Sequence, residues 1–259
     1  MKHLDTDTLD GLEGHIKEGE TFRFRCHDGL TCFNRCCRNL NLFLSPYDVL
    51  RLKQGLGITA GEFIDRFTDA VLREGKHFPE LLLRMNDDAE ATCSFLSEAG
   101  CTAYEFRPDT CRTFPAEHGI YYDDTGKKKR VLFLRPPAFC EGIHEERELT
   151  MDAWQKDQNA EKHNAMNELW AEVETLFANN PWGAEGPNGQ RGKMAFMAAY
   201  NVDAFRSFLF ESSFLKRCKI KSDLKMKLKR DDVAVMKFGF EWIKLFLYGV
   251  PSNMMKMKK

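Results

Sequence analysis

The sequence predicts an α+β fold, mostly helical. A small, loop-rich cysteine-cluster core with short β-hairpins occupies residues 20–145, and a C-terminal helical, bundle-like part occupies 146–259. Three observations predict it. Eight of the nine cysteines fall in two dense groups, Cys26, Cys32, Cys36 and Cys37, then Cys93, Cys101, Cys111 and Cys140. Short apolar runs in this region are broken by polar turns such as Asn86-Asp87-Asp88-Ala89-Glu90. From Thr150 onward the apolar residues recur at helical spacing, with neither an internal repeat nor a low-complexity linker.

The elements follow in order. Ser45-Pro46-Tyr47-Asp48 opens a helix, with Ser45 as N-cap, Pro46 in the first helical position and Asp48 in the first turn. Val49, Leu50, Leu52 and Leu56 give it an apolar side, and Gly55 and Gly57 end it. Thr59-Ala60-Gly61-Glu62 has capping-box form ahead of a second helix carrying Phe63, Ile64, Phe67, Val71 and Leu72. Leu81 to Met85 reads as a strand, and the polar turn after it returns the chain toward Cys93. Arg107-Pro108-Asp109-Thr110-Cys111 is a turn or helix start. Gly119–Tyr122 and Arg130–Leu134 flank Asp123-Asp124-Thr125-Gly126 as a hairpin. One amphipathic helix with Trp154, Ala165, Leu169, Val173 and Leu176 should end near Asn179-Asn180-Pro181. Trp182 to Gly192 is a loop, and 194–215 and 231–249 are two further helices.

At 259 residues the chain can bury a real core and does not need disulfides to fold. Met1-Lys2-His3-Leu4-Asp5 has no apolar run behind its basic residue, so a secretory leader is not expected. Val233 to Val250 is interrupted by Lys237, Glu241 and Lys244, which makes it an amphipathic helix and not a membrane span. A cytoplasmic protein is expected, and in a reducing compartment clustered cysteines are ligands or catalysts before they are disulfides. The net charge of −1 excludes little, but it is unevenly spread. Lys216, Arg217, Lys219, Lys221, Lys225, Lys227, Lys229 and Arg230 stand against the single acid Asp223, and the tail from Met254 is basic. A solvated face is the plainest account of that run, and nucleic acid is not an expected partner.

Several soft, ionised sulfurs converging from loops bind zinc or iron–sulfur clusters. The first group has spacing Cys-x5-Cys-x3-Cys-Cys, looser than a zinc knuckle. Neighbours in an extended segment point to opposite sides, so Cys36 and Cys37 serve different sites, or one binds while the other packs. A buried cysteine acting as a small hydrophobe accounts for one or two of these positions, and poorly for eight. Cys218 lies far off in the basic region and reads as a bystander. Among the histidines only His27, and after it His144, stands close enough in sequence to serve as a reserve ligand.

The second group sits in a longer frame: Cys93-Ser94-Phe95-Leu96, then Cys101-x-x-Tyr104-x-x-Arg107-Pro108-x-x-Cys111-Arg112-x-Phe114-Pro115. In these residues the chain closely resembles the bacterial YkgJ-like cysteine-cluster (CxxCxxCC) proteins, described as zinc- or iron-chelating and often labelled iron–sulfur proteins. Cys36-Cys37-Arg38 and the Leu56-Gly57 helix end are also of the family type, as is Cys140-Glu141-Gly142-Ile143, where Glu141 replaces a proline. The chain departs from the usual Cys-x2-Cys-x2-Cys-Cys in its first group. The resemblance implies that Cys26, Cys32, Cys36, Cys37, Cys93, Cys101, Cys111 and Cys140 hold a metal. It implies an iron–sulfur cluster first, because the set is all cysteine and exceeds four, with a zinc or iron ion as the other choice. Arg107 and Arg112 flank Cys111 and can offset the charge of about −2 that four thiolates leave on a bound dication or oxidised cubane. Bonding to loop carbonyls is the equal alternative for both.

No catalytic residue is identified. Gly186 to Lys193 fails as a phosphate loop twice, with five residues between Gly186 and Gly192 where four are needed and Met194 in place of the following Ser/Thr, and GxGxxG, GxSxG and HExxH are absent. Two other functions stay open. A similar cysteine cluster occurs in flagellin lysine methylase, so a protein-modifying enzyme is one, although no adenosylmethionine motif is recognisable. A structural zinc module whose helical end docks a protein partner is the other.

Overall fold

The structure is a computed structural model that describes residues 2–3 and 12–258. Most of the N-terminal stretch on which the expectation of no leader rests lies outside the described residues, as does Lys259. Among the described residues helix outweighs strand, 45% against 18%, in ten helices and several small sheets, a mostly helical α+β fold. The chain forms two compact units, each drawn from two stretches: residues 1–40 with 85–171, and residues 41–84 with 172–259.

The first unit carries all eight clustered cysteines. Its main sheet is the expected hairpin, Ala116–Tyr122 against Lys128–Leu134, with Lys128 opposite Tyr122 and Leu134 opposite Ala116. Asp123 shapes the turn by accepting hydrogen bonds from the Thr125 and Lys127 amides. Lys2–His3 extends the sheet in parallel and His15–Ile16 antiparallel. A second ladder pairs Thr21–Arg23 with Glu148–Thr150. Phe22, Phe24, Ala116, Leu132, Cys140, Leu149 and Trp154 form the core against these strands. Phe22 and Phe24 meet Trp154 edge-on at 6.2 and 5.2 Å, a geometry favoured by the ring quadrupoles. This core anchors the chain just before Cys26 and just after Cys111, and takes in Cys140 itself.

The second unit pairs Phe43–Leu44, Glu80–Leu83 and Thr68–Val71 in one sheet. Helix Pro46–Leu56 has the predicted capping box, Ser45 with Asp48, and ends at a left-handed Gly57. Gly239 permits a close helix crossing between Asp232–Tyr248 and Gln190–Tyr200, because a Cβ there would stand 2.2 Å from the Ala198 carbonyl oxygen. Lys53, nearly buried, is held by Asp203 at 3.1 Å and Asp232 at 2.9 Å.

Helix boundaries differ from the expectation in three places. The helix beginning at Ala60 stops at Phe67, because Thr68–Val71 satisfies its backbone by pairing with Glu80–Leu83. The helix expected from 150 to 180 is two, Met151–Asp157 and Glu161–Phe177, parted where Asn159 takes a left-handed φ of 50°. The stretch 194–215 is also divided, by Asn201, whose side chain caps the next helix at the Ala204 amide. Apolar spacing runs across both breaks, so periodicity alone reads through them. The described residues contain no helix long and apolar enough to cross a membrane.

Candidate metal centre

Backbone stitching brings the two cysteine groups together within the first unit. Cys37 and Cys93 are joined directly, the Cys93 amide donating to the Cys37 carbonyl at 2.9 Å. Bridges Arg38–Thr92 and Met85–Cys93 continue the seam. Arg38 braces it by donating to the Asn34 carbonyl at 2.7 Å and pairing with Glu90 at 3.1 Å. Cys101 is returned to the Cys93 segment by the small hairpin Leu96–Ser97 with Gly100–Cys101. On the other side, the turn after Cys140 meets the first group. The Glu141 amide donates to the Cys32 sulfur at 3.3 Å, and the Thr31 hydroxyl donates to the Glu141 carboxylate at 2.7 Å.

Gly142 is required by this approach. A Cβ there would lie 2.8 Å from the Arg25 carbonyl oxygen and 2.9 Å from the Phe24 ring. The Arg25 amide in turn donates to the Gly142 carbonyl at 3.0 Å.

The thiols act on one another in a definite pattern. Cys26 feels Cys32, Cys140 and Cys37; Cys93 feels Cys37 and Cys101; Cys101 feels Cys37; Cys140 feels Cys32. Cys37 acts on Cys26, Cys93 and Cys101, while Cys36 is within electrostatic reach of Cys26 and Cys111. Cys36 and Cys37 also share a hydrogen bond in which the Cys37 thiol donates. That bond draws the Cys36 pKa down against its burial and pushes Cys37 strongly up, burial adding to the rise.

Burial raises Cys26, Cys93, Cys101 and Cys140, Cys93 to about 11, and neighbouring sulfurs add to each. Backbone amides oppose the rise at three of them. Phe95 donates toward Cys93, Ala103 toward Cys101, and Gly142 with Ile143 toward Cys140. In each case the amide two residues on turns back to the sulfur. Hydrogen bonds of this kind favour the thiolate and tune a bound metal.

Among the described residues, no three Cys, His, Asp or Glu side chains stand in an arrangement ready to hold a metal ion. The thiols lie within electrostatic reach without closing on a common point. Cys32, Cys93 and Cys140 are buried, and Cys26 and Cys111 are exposed. Donor chemistry nevertheless fits a soft cation: the sulfurs gather where burial and mutual repulsion disfavour uncompensated thiolates, and amides point at several of them. A cation supplies the missing positive charge.

Both arginines are buried and turned to carbonyls. Arg107 donates to the Tyr104 carbonyl at 2.6 Å and to Gln158 Oε1 at 3.1 Å. Arg112 donates to the Gln158 and Glu105 carbonyls at 2.8 and 3.2 Å. Arg107 also favours the Cys101 thiolate by its charge. Tyr104 is exposed, its ring centroid 3.8 Å from the Arg107 guanidinium carbon. His27 accepts from the Gly29 amide through Nδ1 and faces Glu145 at 3.4 Å through Nε2, so both nitrogens are engaged. His144 is exposed. Cys218 belongs to the second unit, its sulfur 3.4 Å from that of Met257. Gln158 and the amides of the Glu141–His144 turn escape sequence reasoning. The Gly142 that permits the turn is the only trace of it in the sequence.

A family model described as "Putative zinc- or iron-chelating domain", CxxCxxCC, matches residues 25–168, more than half of the chain. The chain belongs to the CxxCxxCC family. The matched span contains all eight clustered cysteines and not Cys218, and it includes Gln158, which both arginines reach. The CxxCxxCC match ends inside helix Glu161–Phe177. No curated protein and no solved structure matches the chain.

Proposed function

We propose that this chain is a metal-binding protein whose eight clustered cysteines hold iron–sulfur centres as thiolates in two sets. Cys37, Cys93 and Cys101 begin one set, and Cys26, Cys32 and Cys140 begin the other. Cys36 and Cys111 complete the two. The observation that carries this reading is the amide turned back on the sulfur at Cys93, Cys101 and Cys140. A buried cysteine that only packs needs no such donor, whereas a ligating thiolate is stabilised by one.

An all-sulfur donor set of more than four favours iron–sulfur over a single zinc ion. Functionally, residues 20–145 carry the metal chemistry and 146–259 provide the helical surface for a protein partner. A reducing compartment such as the cytoplasm suits a set of clustered thiols. Arg107 positions the Cys101–Cys111 segment and offsets thiolate charge.

Anaerobic purification, a visible spectrum, and iron, sulfide and zinc analysis test the proposal. Broad visible absorption with iron and acid-labile sulfide is expected. A colourless protein with stoichiometric zinc and no sulfide overturns the iron–sulfur assignment. A protein free of both metals, after purification that excludes oxygen and chelators, overturns metal binding itself.

A further inference from the structure

The basic run and the basic tail, separate in sequence, are joined in the second unit. Cys218–Lys219 pairs antiparallel with Lys256–Met257, and the Lys258 amide continues the ladder to the Arg217 carbonyl at 2.8 Å. All eight basic residues from 216 to 230 are exposed, as are Lys256 and Lys258. Only Asp223 opposes them within these stretches, and Asp231 at their border reaches Lys227 at 3.8 Å.

The register places Lys219 directly opposite Lys256. Like charges facing each other across a ladder destabilise it, and neither ammonium has an ion-pair partner among the described residues. An anionic partner removes that cost. The patch also carries exposed apolar groups: Met226 is 66% and Met257 52% exposed, among the most exposed large hydrophobics of the described residues. Met257 is the strand neighbour of Lys256, and Met226 lies between Lys225 and Lys227 on helix Ser222–Leu228.

Charge alone fits any polyanion, but the mixture is more selective. Phosphate-backbone binding has no use for exposed thioethers, and base stacking calls for a series of aromatic side chains, whereas between 216 and 230 the sequence has none and the ring beside these lysines is Phe210, already covered by Lys229 at 5.6 Å. Lysines flanking flexible apolar side chains match the surface of an anionic bilayer, where ammonium groups meet lipid phosphates and carboxylates while the apolar groups enter the headgroup boundary. From this arrangement we infer that the patch is a peripheral docking surface for an anionic lipid bilayer.

Flotation of the full chain with vesicles tests it. Binding is expected to phosphatidylcholine vesicles containing about 30% phosphatidylserine, not to pure phosphatidylcholine, and to weaken with added salt. A Lys219→Gln, Lys225→Gln, Lys256→Gln variant should lower the partition coefficient about a hundredfold, at about fivefold per lysine. Met226→Ser with Met257→Ser should lower it about tenfold. All five positions are exposed, so circular dichroism and metal content should match the parent protein. Equal binding to neutral vesicles, or unchanged binding by the lysine variant, overturns the inference. Unchanged binding by the methionine variant, or capture of duplex DNA at a salt concentration where vesicles are not bound, overturns the bilayer as the partner.

Discussion

Replacing Gly142 by alanine adds one methyl group at the point where the Cys140 turn meets the segment leading to Cys26. That methyl would stand 2.8 Å from the Arg25 carbonyl oxygen and 2.9 Å from the Phe24 ring. Neither can yield easily. The Arg25 carbonyl is backbone, in a stretch fixed by the Phe24 amide donating to the Arg147 carbonyl and the Arg25 amide to the Gly142 carbonyl, both at 3.0 Å, and Phe24, 2% exposed, is wedged edge-on against Trp154 at 5.2 Å. Overpacking of this kind costs about 1–3 kcal/mol, and at this chain length about 2 kcal/mol lowers Tm by about 4–8 °C. The turn must also retreat, which withdraws the Glu141 amide from Cys32 and the Gly142 and Ile143 amides from Cys140. Thermal melting by circular dichroism, with metal counted per chain on anaerobic protein, reads both effects. Gly142→Ala should melt lower and lose metal from the set around Cys140, while keeping that around Cys93. An unchanged Tm together with unchanged metal content would mean that the Cys140 turn does not depend on the close approach at Gly142.

Paired cysteine substitutions test the division of the sulfurs. Cys37→Ser combined with Cys93→Ser should hold as much metal as either single variant, whereas Cys37→Ser with Cys140→Ser should hold almost none; metal analysis of the four proteins decides between shared and separate sets. His118 is held neutral by burial, with the nearby Arg130 charge adding, at a pKa of about 4 against an ordinary 6.5. Its folded value is depressed, so the unfolded chain takes up the proton first: stability is full above pH 6.5 and falls by at most about 3 kcal/mol as pH drops toward 4. Denaturant unfolding across that range should show the slope, and His118→Phe should flatten it. Lys53→Met removes the cation between Asp203 and Asp232; a loss of about 3 kcal/mol is expected in chemical denaturation, with metal content untouched because all eight cysteines belong to the other unit.

Where local chemistry decides an element, the sequence is readable. Ser45, Pro46, Asp48 and Gly57 specify a helix start and stop by steric and hydrogen-bonding rules that need no tertiary context. Asp123 through Gly126 does the same for the hairpin. Breaks at Asn159 and Asn201 are different: each sits in a stretch whose apolar spacing continues, and asparagine's tolerance of non-helical backbone shows only once the chain has packed. The division of the chain into two units, each drawn from two stretches, is equally invisible, as is the pairing within the second unit by which Thr68–Val71 leaves a helical pattern for Glu80–Leu83.

At the candidate site the side-chain chemistry is legible and the backbone chemistry is not. Cysteine spacing and the Arg107-Pro108 frame pick out the sulfurs and the flanking guanidiniums. Nothing in the residue pattern says that Arg107 and Arg112 both reach Gln158, or that amides at Phe95, Ala103 and Gly142 turn back on sulfur. Those are main-chain donors, present at every residue and useful only where the turn aims them.

X-ray absorption on the anaerobically purified full chain, taken at the edge of whichever metal it carries, reads whether cysteine sulfur holds that metal. Four sulfur neighbours per metal at about 2.3 Å, with no shell of lighter atoms, is the predicted result. A first shell dominated by nitrogen or oxygen would contradict it, because the eight cysteines would then not be what holds the metal.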